Sequence, residues 1–534
     1  MAGSPARWTT RALATSQAFT RTSGRRTSWS ARSRCARERR RDRSIDGSHA
    51  IGARRRHLRV DVAGEVRNGI PCPPARAGRP VEASMAQLTK IESGPDRHGR
   101  LAHVLQTRGA PPDVEGPMVL EHREALIYTL GKAAELEHLV LCQYLFAAFS
   151  LKQEEREGLS GEQVTLIKGW RHALMEIAEQ EMLHLALVQN LLTAVGAAPR
   201  LARPNFPVPP RSFPAAVQMA LIPFGEVGLR HFAYLERPEG YEMADAEEFA
   251  AIEKAVPLPI AGADEIGPHL QDFATIGHLY RSIDEGLAHL AEKLGTDRLF
   301  IGPASAQATE VHFRWRELVA VTDLESAHRA IETIVEQGEG ARGDWREAHF
   351  GRLIAILDEY LAARQADPTF EPTRPVVAAL VRDPESELSA PVISEPFTIR
   401  CMDLLNAVYE VLLQMLSRYF VHTDETDEQL RELANTSVGL MQDVIKPLGG
   451  LVTQLAVGEA RPGAAAGPSF ELFYAVDYLL PHRDAAWTLM EERLREVAEL
   501  ATRCRDACIP SFLVPLSRIT DALRRHADHL ASAR

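Results

Sequence analysis

Glu179-Gln-Glu-Met-Leu-His-Leu185 places Glu181 and His184 three residues apart inside a strong helical rhythm. The apolar positions around the pair are Ile167, Trp170, Leu174, Ile177, Ala178, Leu185, Val188, Leu191 and Leu192, a three-four spacing. Residues at i and i+3 share a helix face, and both polar residues fall within the stripe. A carboxylate and an imidazole therefore point at the core from one turn. Burying a lone charge is costly, so it needs a partner or a metal ion. Glu-x-x-His aimed inward is the half-site that four-helix bundles holding two iron or manganese ions use twice, with one further Glu from each of the other two helices. The pair also arises often by chance, and a buried His is more often hydrogen-bonded core than ligand. The rest of the chain must supply the context.

The chain has 534 residues, 45% hydrophobic and 25% charged, which fits a folded protein of two or three domains with a sizeable core. Its most apolar stretch, 139–151, is too short to span a bilayer and is interrupted by Gln143. The six cysteines, at 35, 72, 142, 401, 504 and 508, have neither zinc-finger nor Cys-x-x-Cys spacing, which reads as reduced thiols in a cytoplasmic protein. The net charge of −11 hides an asymmetry: residues 1–84 hold 19 Arg, no Lys and 6 acidic residues. That Arg-rich segment lacks periodic apolar positions and cannot bury a core. A basic nucleic-acid arm, a transit peptide and a start assigned too far upstream all fit it. An all-Arg, Lys-free composition favours the last, with Met85 as the start. The acidic remainder argues against nucleic acid as a partner.

After a polar lead-in at 85–115, a first long helix is expected over 119–150, with Glu137 inside its apolar set and Glu135 and His138 to either side. Glu137 reads as a single-Glu ligand or as a rim residue bonded to a neighbouring helix. Ser160 can cap a second helix over 162–195, which stops at Gly196 with Pro199 beyond. A Pro-rich loop and an ambiguous stretch at 215–260 form the long crossover. A third helix over 269–294 carries His278 and Asp284, and a fourth over 316–337 carries a second literal Glu-x-x-His, Glu325 to His328. A further short helix near Trp345 contains His349. The Pro-rich 366–396 reads as a linker, followed at 397–534 by helices over 401–420, 428–455, 470–480 and 484–504 and a last one closing the chain. The expected architecture is all-α: a four-helix bundle over 116–365, then a second helical domain.

Glu135-Leu-Glu-His138 with Tyr144, Glu181-Met-Leu-His184 leading into Asn190-Leu-Leu and Ala197-Ala-Pro, Ile276-Gly-His-Leu-Tyr280, and Val335-Glu-Gln-Gly-Glu-Gly340 with His349-Phe350 together resemble the ferritin-like iminophenyl-pyruvate dimer synthase domain. That family includes the enzymes of violacein and rebeccamycin biosynthesis that couple two indole-3-pyruvate imines, and many stand-alone bacterial proteins. The resemblance covers about 120–355, and Ala466-Gly-Pro-Ser-Phe470 is similar to a piece shared with longer members. It implies a ferritin-like bundle with an iron-type site. Carried over by position, the metal ligands are Glu137, Glu181, His184, His278, Glu336 and His349. Position 278 departs from the family pattern, where Glu is usual; His can still ligate iron, with one carboxylate fewer in the site. Glu325 and His328 offer a rival pair on the fourth helix.

The leading expectation is an oxidoreductase or imine-coupling enzyme of secondary metabolism. Its cofactor would be iron, dinuclear or mononuclear, with manganese as the alternative. Its substrate would be a small molecule, an aromatic imine or 2-oxo acid derivative. Tyr144, one turn beyond Glu137, is either core or a donor to a ligand. The alternatives are a non-catalytic metal-binding or storage protein and a scaffold with a degenerate site. No Gly-rich phosphate loop, nucleophile elbow or dinucleotide fingerprint is present, which argues against nucleotide chemistry.

Overall fold

The computed structural model describes residues 116–208, 214, 217–241, 243–250, 272–340, 345–382, 390–459, 461–473, 479 and 481–534. The readings of 1–84 and of Met85 lie outside these residues. The long helices are α1 (Arg123–Ser150), α2 (Gly161–Ala194), α3 (Glu226–Leu235), α4 (Ile276–Leu294), α5 (Leu324–Gly338), α6 (His349–Ala366), α7 (Pro396–Phe420), α8 (Asp427–Gly439), α9 (Lys446–Val452), α10 (Arg483–Asp506) and α11 (Pro510–Ala533). Short helical turns join several of them. The fold is all-α. Its named strands, β1 (Val376–Val377) and β2 (Ala465–Ala466), form one short parallel pair, Val376 opposite Ala465. Among the described residues no helix is long and apolar enough to cross a membrane.

Local sequence sets the helix ends. Ser160 accepts a hydrogen bond from the Gln163 backbone and Gln163 returns one, a capping box that starts α2. Gly196, with φ 86°, takes the left-handed turn that ends it. The fourth helix begins at Leu324 rather than at 316, because Asp323 and Ser326 form a second capping box there. Part of the helix expected over 470–480 is absent: residues 470–473 and 479 are not helical. Phe470 instead adopts φ 48°, and Glu471 turns back to bond Ser469 and Asn406 of α7.

Helices α1, α2, α4 and α5 make the bundle, α1 against α2 and α4, α5 against α2 and α4. Helix α3 crosses α6, which also touches α2 and α5. Every side chain from Ala133 to Ser150 is buried, so α1 is enclosed on all sides. A helix apolar all round must be covered all round. The bundle covers one side; α7, α9 and the 465–473 segment cover the other. Gly467 allows this approach, since a Cβ there would stand 2.0 Å from Phe146 Cε2. A Cβ on Gly449 of α9 would stand 2.6 Å from Phe149 Cε2. Arg374 fastens the end of α1, donating to the Phe149 carbonyl at 3.2 Å, to Thr453 Oγ1 at 3.1 Å and to the Glu157 carboxylate at 2.7 Å. One continuous apolar core runs through both halves of the described chain.

Candidate metal centre

Glu137 projects from the middle of α1, Glu181 and His184 from α2, Glu236 from the residue that follows α3, and His349 from the first position of α6. All five are buried, none more than 5% exposed. Glu181 stands at the centre. Its Oε2 lies 3.2 Å from His184 Nδ1 and its Oε1 lies 2.9 Å from His349 Nδ1. Glu137 Oε2 approaches His184 Nδ1 at 3.5 Å, and Glu236 Oε2 approaches His349 Nδ1 at 3.8 Å. The two imidazoles are stacked, ring centres 5.3 Å apart.

The arrangement is two half-sites that share Glu181. In one, Glu137 and His184 are the terminal groups; in the other, Glu236 and His349. The surroundings repeat the same scheme. Tyr280 donates its hydroxyl to Glu137 Oε1 and Tyr144 donates to Glu236 Oε1. His184 Nε2 meets Gln337 Oε1 at 2.9 Å, and His349 Nε2 meets Gln180 Oε1 at 3.2 Å. A glutamine oxygen only accepts, so each Nε2 carries the proton and each Nδ1 turns its lone pair inward when the ring is neutral.

Glu137, Glu181, His184 and His349, buried together, strongly perturb one another. Burial pushes Glu137 up to about 8, with the charge of Glu181 adding to the effect and His184 opposing it. Burial works against the charged form of His184, but hydrogen bonds to Glu137 and Glu181 outweigh it and raise the imidazole to about 10. His349 is raised against the same burial penalty by the charge of Glu181. Glu181, which burial would raise, is held well below the usual carboxylate range by His349 and His184. Five side chains thus turn donor atoms toward one another, the kind of arrangement that accepts cations. Glu181, His184 and His349 each offer an atom within 4.8 Å of the others. His349 Nδ1 has no hydrogen-bond partner of acceptable geometry despite its nearness to Glu181. Carboxylate and imidazole in these proportions suit iron, manganese or zinc, and metal uptake would displace the protons.

Four of the six residues carried over by resemblance therefore converge: Glu137, Glu181, His184 and His349. The structure does not bring the other two to them. His278, in the first turn of α4, accepts from the Ala274 backbone at 3.2 Å through Nδ1 and meets Gly116 O at 3.1 Å through Nε2. Both ring nitrogens are thus engaged at the helix end. Glu336 lies on the exposed side of α5, and its neighbour Gln337 is the residue that reaches the centre. The rival pair also lies elsewhere: Glu325 is exposed and His328 pairs with the buried Asp284 of α4. Sequence reasoning missed Glu236, Gln180, Gln337 and Tyr280. The Leu235-Glu-Arg-Pro-Glu-Gly240 stretch held a readable hint, a Glu at a helix end before a Pro turn within the crossover.

Residues 130–358 match the ferritin-like family model. The chain is similar to a dichlorochromopyrrolate synthase of Lentzea aerocolonigenes, 27% identical over 473 residues, which is 80% of this chain and 44% of that protein. It is also similar to a 2-imino-3-(indol-3-yl)propanoate dimerase of Chromobacterium violaceum, 30% identical over 398 residues, 69% of this chain and 36% of that protein. The match spans less than half the length of either curated relative. Among solved structures, a ferritin-like protein from Caulobacter vibrioides aligns with a TM-score of 0.36 at 18% identity, covering 57% of this chain and 89% of that one.

Proposed function

The chain carries a ferritin-like domain at residues 130–358, and on that footing we propose that it is a metal-dependent enzyme of secondary metabolism that couples aromatic imines. The observation that carries this reading is the doubled half-site around Glu181, which offers each of two positions one imidazole, one terminal carboxylate and one oxygen of the shared carboxylate. The names of the two curated relatives, a synthase and an imino-acid dimerase, supply the substrate class.

Each residue then has a defined task. The carboxylates of Glu137, Glu181 and Glu236 and the neutral imidazoles of His184 and His349, through Nδ1, would hold the metal. Tyr280 and Tyr144 fix the rotamers of the terminal carboxylates, and Gln337 and Gln180 fix the tautomer and tilt of the two rings. The buried setting excludes water, which would otherwise hydrolyse an imine to the oxo acid. Iron or manganese bound there would supply the redox chemistry. Joining two imines through a new carbon–carbon bond releases two electrons and two protons, and dioxygen or peroxide is the acceptor this reading requires.

The test is elemental analysis of the purified chain beside Glu181→Gln and His184→Ala, followed by a coupling assay on the imine made in situ from tryptophan by an amino-acid oxidase. Bound iron or manganese that is lost in both variants, with a dimeric product from the parent alone, is the expected result. A parent that takes up no metal after anaerobic loading with ferrous iron would sink the proposal. Metal retained without any dimeric product would leave a storage protein.

A further inference from the structure

A second site lies on another face of α1 and α2. His138 follows Glu137 and so points about 100° away from it around the helix. On that face α1 and α2, together with α7 and the π-helical turn Leu440–Ile445, enclose a cavity of about 350 Å³. That volume is at the small end for ligand sites and has room for one bicyclic ring system rather than a peptide. Its walls are aromatic. Phe313 and Trp315 stand over it, stacked with ring centres 6.0 Å apart, and Phe420 and Phe470 close other sides. Between the first two, Arg314 is held at φ 63°, a left-handed conformation that non-glycine residues adopt at a cost. Met175, Met182 and Met441 complete the lining with side chains that adapt to a planar guest.

The floor is polar. The Tyr409 hydroxyl bonds to His138 Nε2 and lies 3.3 Å from Cys142 Sγ. Behind the Tyr409 ring, with its guanidinium carbon 5.7 Å from the ring centre, sits Arg203. Arg203 is 6% exposed and donates to the carbonyls of Pro204 and Phe470. Its Nε has no hydrogen-bond partner, and no carboxylate pairs with it among the described residues. A buried cation without a counter-charge is expensive, and a ligand that supplies the anion relieves that cost. Glu176 and Glu179 line the cavity as well, with Lys446 and His172, and both carboxylates are already engaged: Glu176 with Arg352 at 2.7 Å, Glu179 with the Trp315 indole N–H at 3.4 Å.

We infer that this cavity binds a planar aromatic monoanion, an aryl carboxylate of bicyclic size, with its ring between the aromatic walls and its carboxylate at the Tyr409 floor in the field of Arg203. The inference does not rest on the metal reading, because the cavity and the centre occupy different faces of the same two helices.

Calorimetric titration of the full chain with indole-3-acetate, indole and tryptamine tests it. The acid should bind one per chain, about tenfold more tightly than indole, and the amine should not bind. Arg203→Met should bring the acid down to the level of indole. Met441→Trp and Leu412→Trp, which fill the cavity from two sides, should each remove both ligands while leaving metal content unchanged; circular dichroism identifies any variant that has not folded. Equal binding of acid and amine, or acid binding that survives in a folded filling variant, would overturn the inference. So would acid binding that disappears when the metal is stripped with a chelator, since the acid would then sit at the centre.

Discussion

At the scale of single residues, Glu135-Leu-Glu-His138 shows how much one helical turn can be asked to do. Glu135 reaches Arg200 at 2.8 Å, Glu137 enters the Glu181 cluster, and His138 faces the cavity with Tyr409. Sequence pattern picked out the Glu137 position because its helical neighbours are apolar. It singles out Glu181 and His184 for the same reason. Helical period does not mark Glu236, which follows a ten-residue helix; only the Pro turn after it is a signal. His278 bonds at the start of α4 instead of joining the cluster, because a position in a motif says nothing about which groups a ring will bond to. The shared carboxylate leads to a stoichiometric prediction. Glu181→Gln should empty both half-sites, whereas Glu137→Gln should leave metal at the Glu236–His349 side, halving the metal bound per chain by elemental analysis. Tyr280→Phe and Tyr144→Phe remove one hydrogen bond to one terminal carboxylate each. Each should weaken metal retention by about 10- to 100-fold in a chelator competition, without loss of helical signal.

At the scale of elements, the helices are legible from their three-four spacing and their caps; the differences arise at an unread cap and at the Phe470 turn. Asp323 is such a case, and Asp323→Ala should lower stability by about 1 kcal/mol in urea unfolding. Gly467 tests the approach of the 465–473 segment to α1. A methyl group there would collide with Phe146, so Gly467→Ala should cost about 1 to 3 kcal/mol. The corner between α7 and α8 is held by Arg418 and Glu425, whose side chains are fully buried and paired at 2.5 and 2.8 Å, with the Trp487 indole donating to Glu425 at 3.0 Å. Burial alone would raise Glu425, but Arg418 and the Thr423 and Trp487 donors bring it down to about 2 from 4.5. A depressed carboxylate stabilises the fold above its unfolded value and loses that contribution as the pH falls towards the folded one. The stability of the chain should therefore decline between about pH 4.5 and 2. Arg418→Met should cost about 3 to 5 kcal/mol at neutral pH and flatten that decline, as measured by denaturant midpoints across the range.

At the scale of the whole molecule, the central position of α1 decides how the chain can be divided. Sequence pattern reads a bundle, a Pro-rich linker and a second set of helices, and linker composition invites the idea of separable parts. The enclosed face of α1 speaks against cutting there. A fragment ending at residue 365 would bare Cys142, Leu145, Phe146 and Phe149, which α7, α9 and the 465–473 segment otherwise cover. Such a fragment should aggregate or bind an apolar dye, while the full chain should do neither, as size-exclusion chromatography and dye fluorescence would show. The same enclosure has a consequence in time. The ribosome finishes α1 long before it makes the residues that cover it, since Tyr409 follows His138 by 271 positions. At about 5 to 20 residues per second, that interval is roughly 15 to 50 s. For that long, this apolar helix of the nascent chain has one face without its native cover.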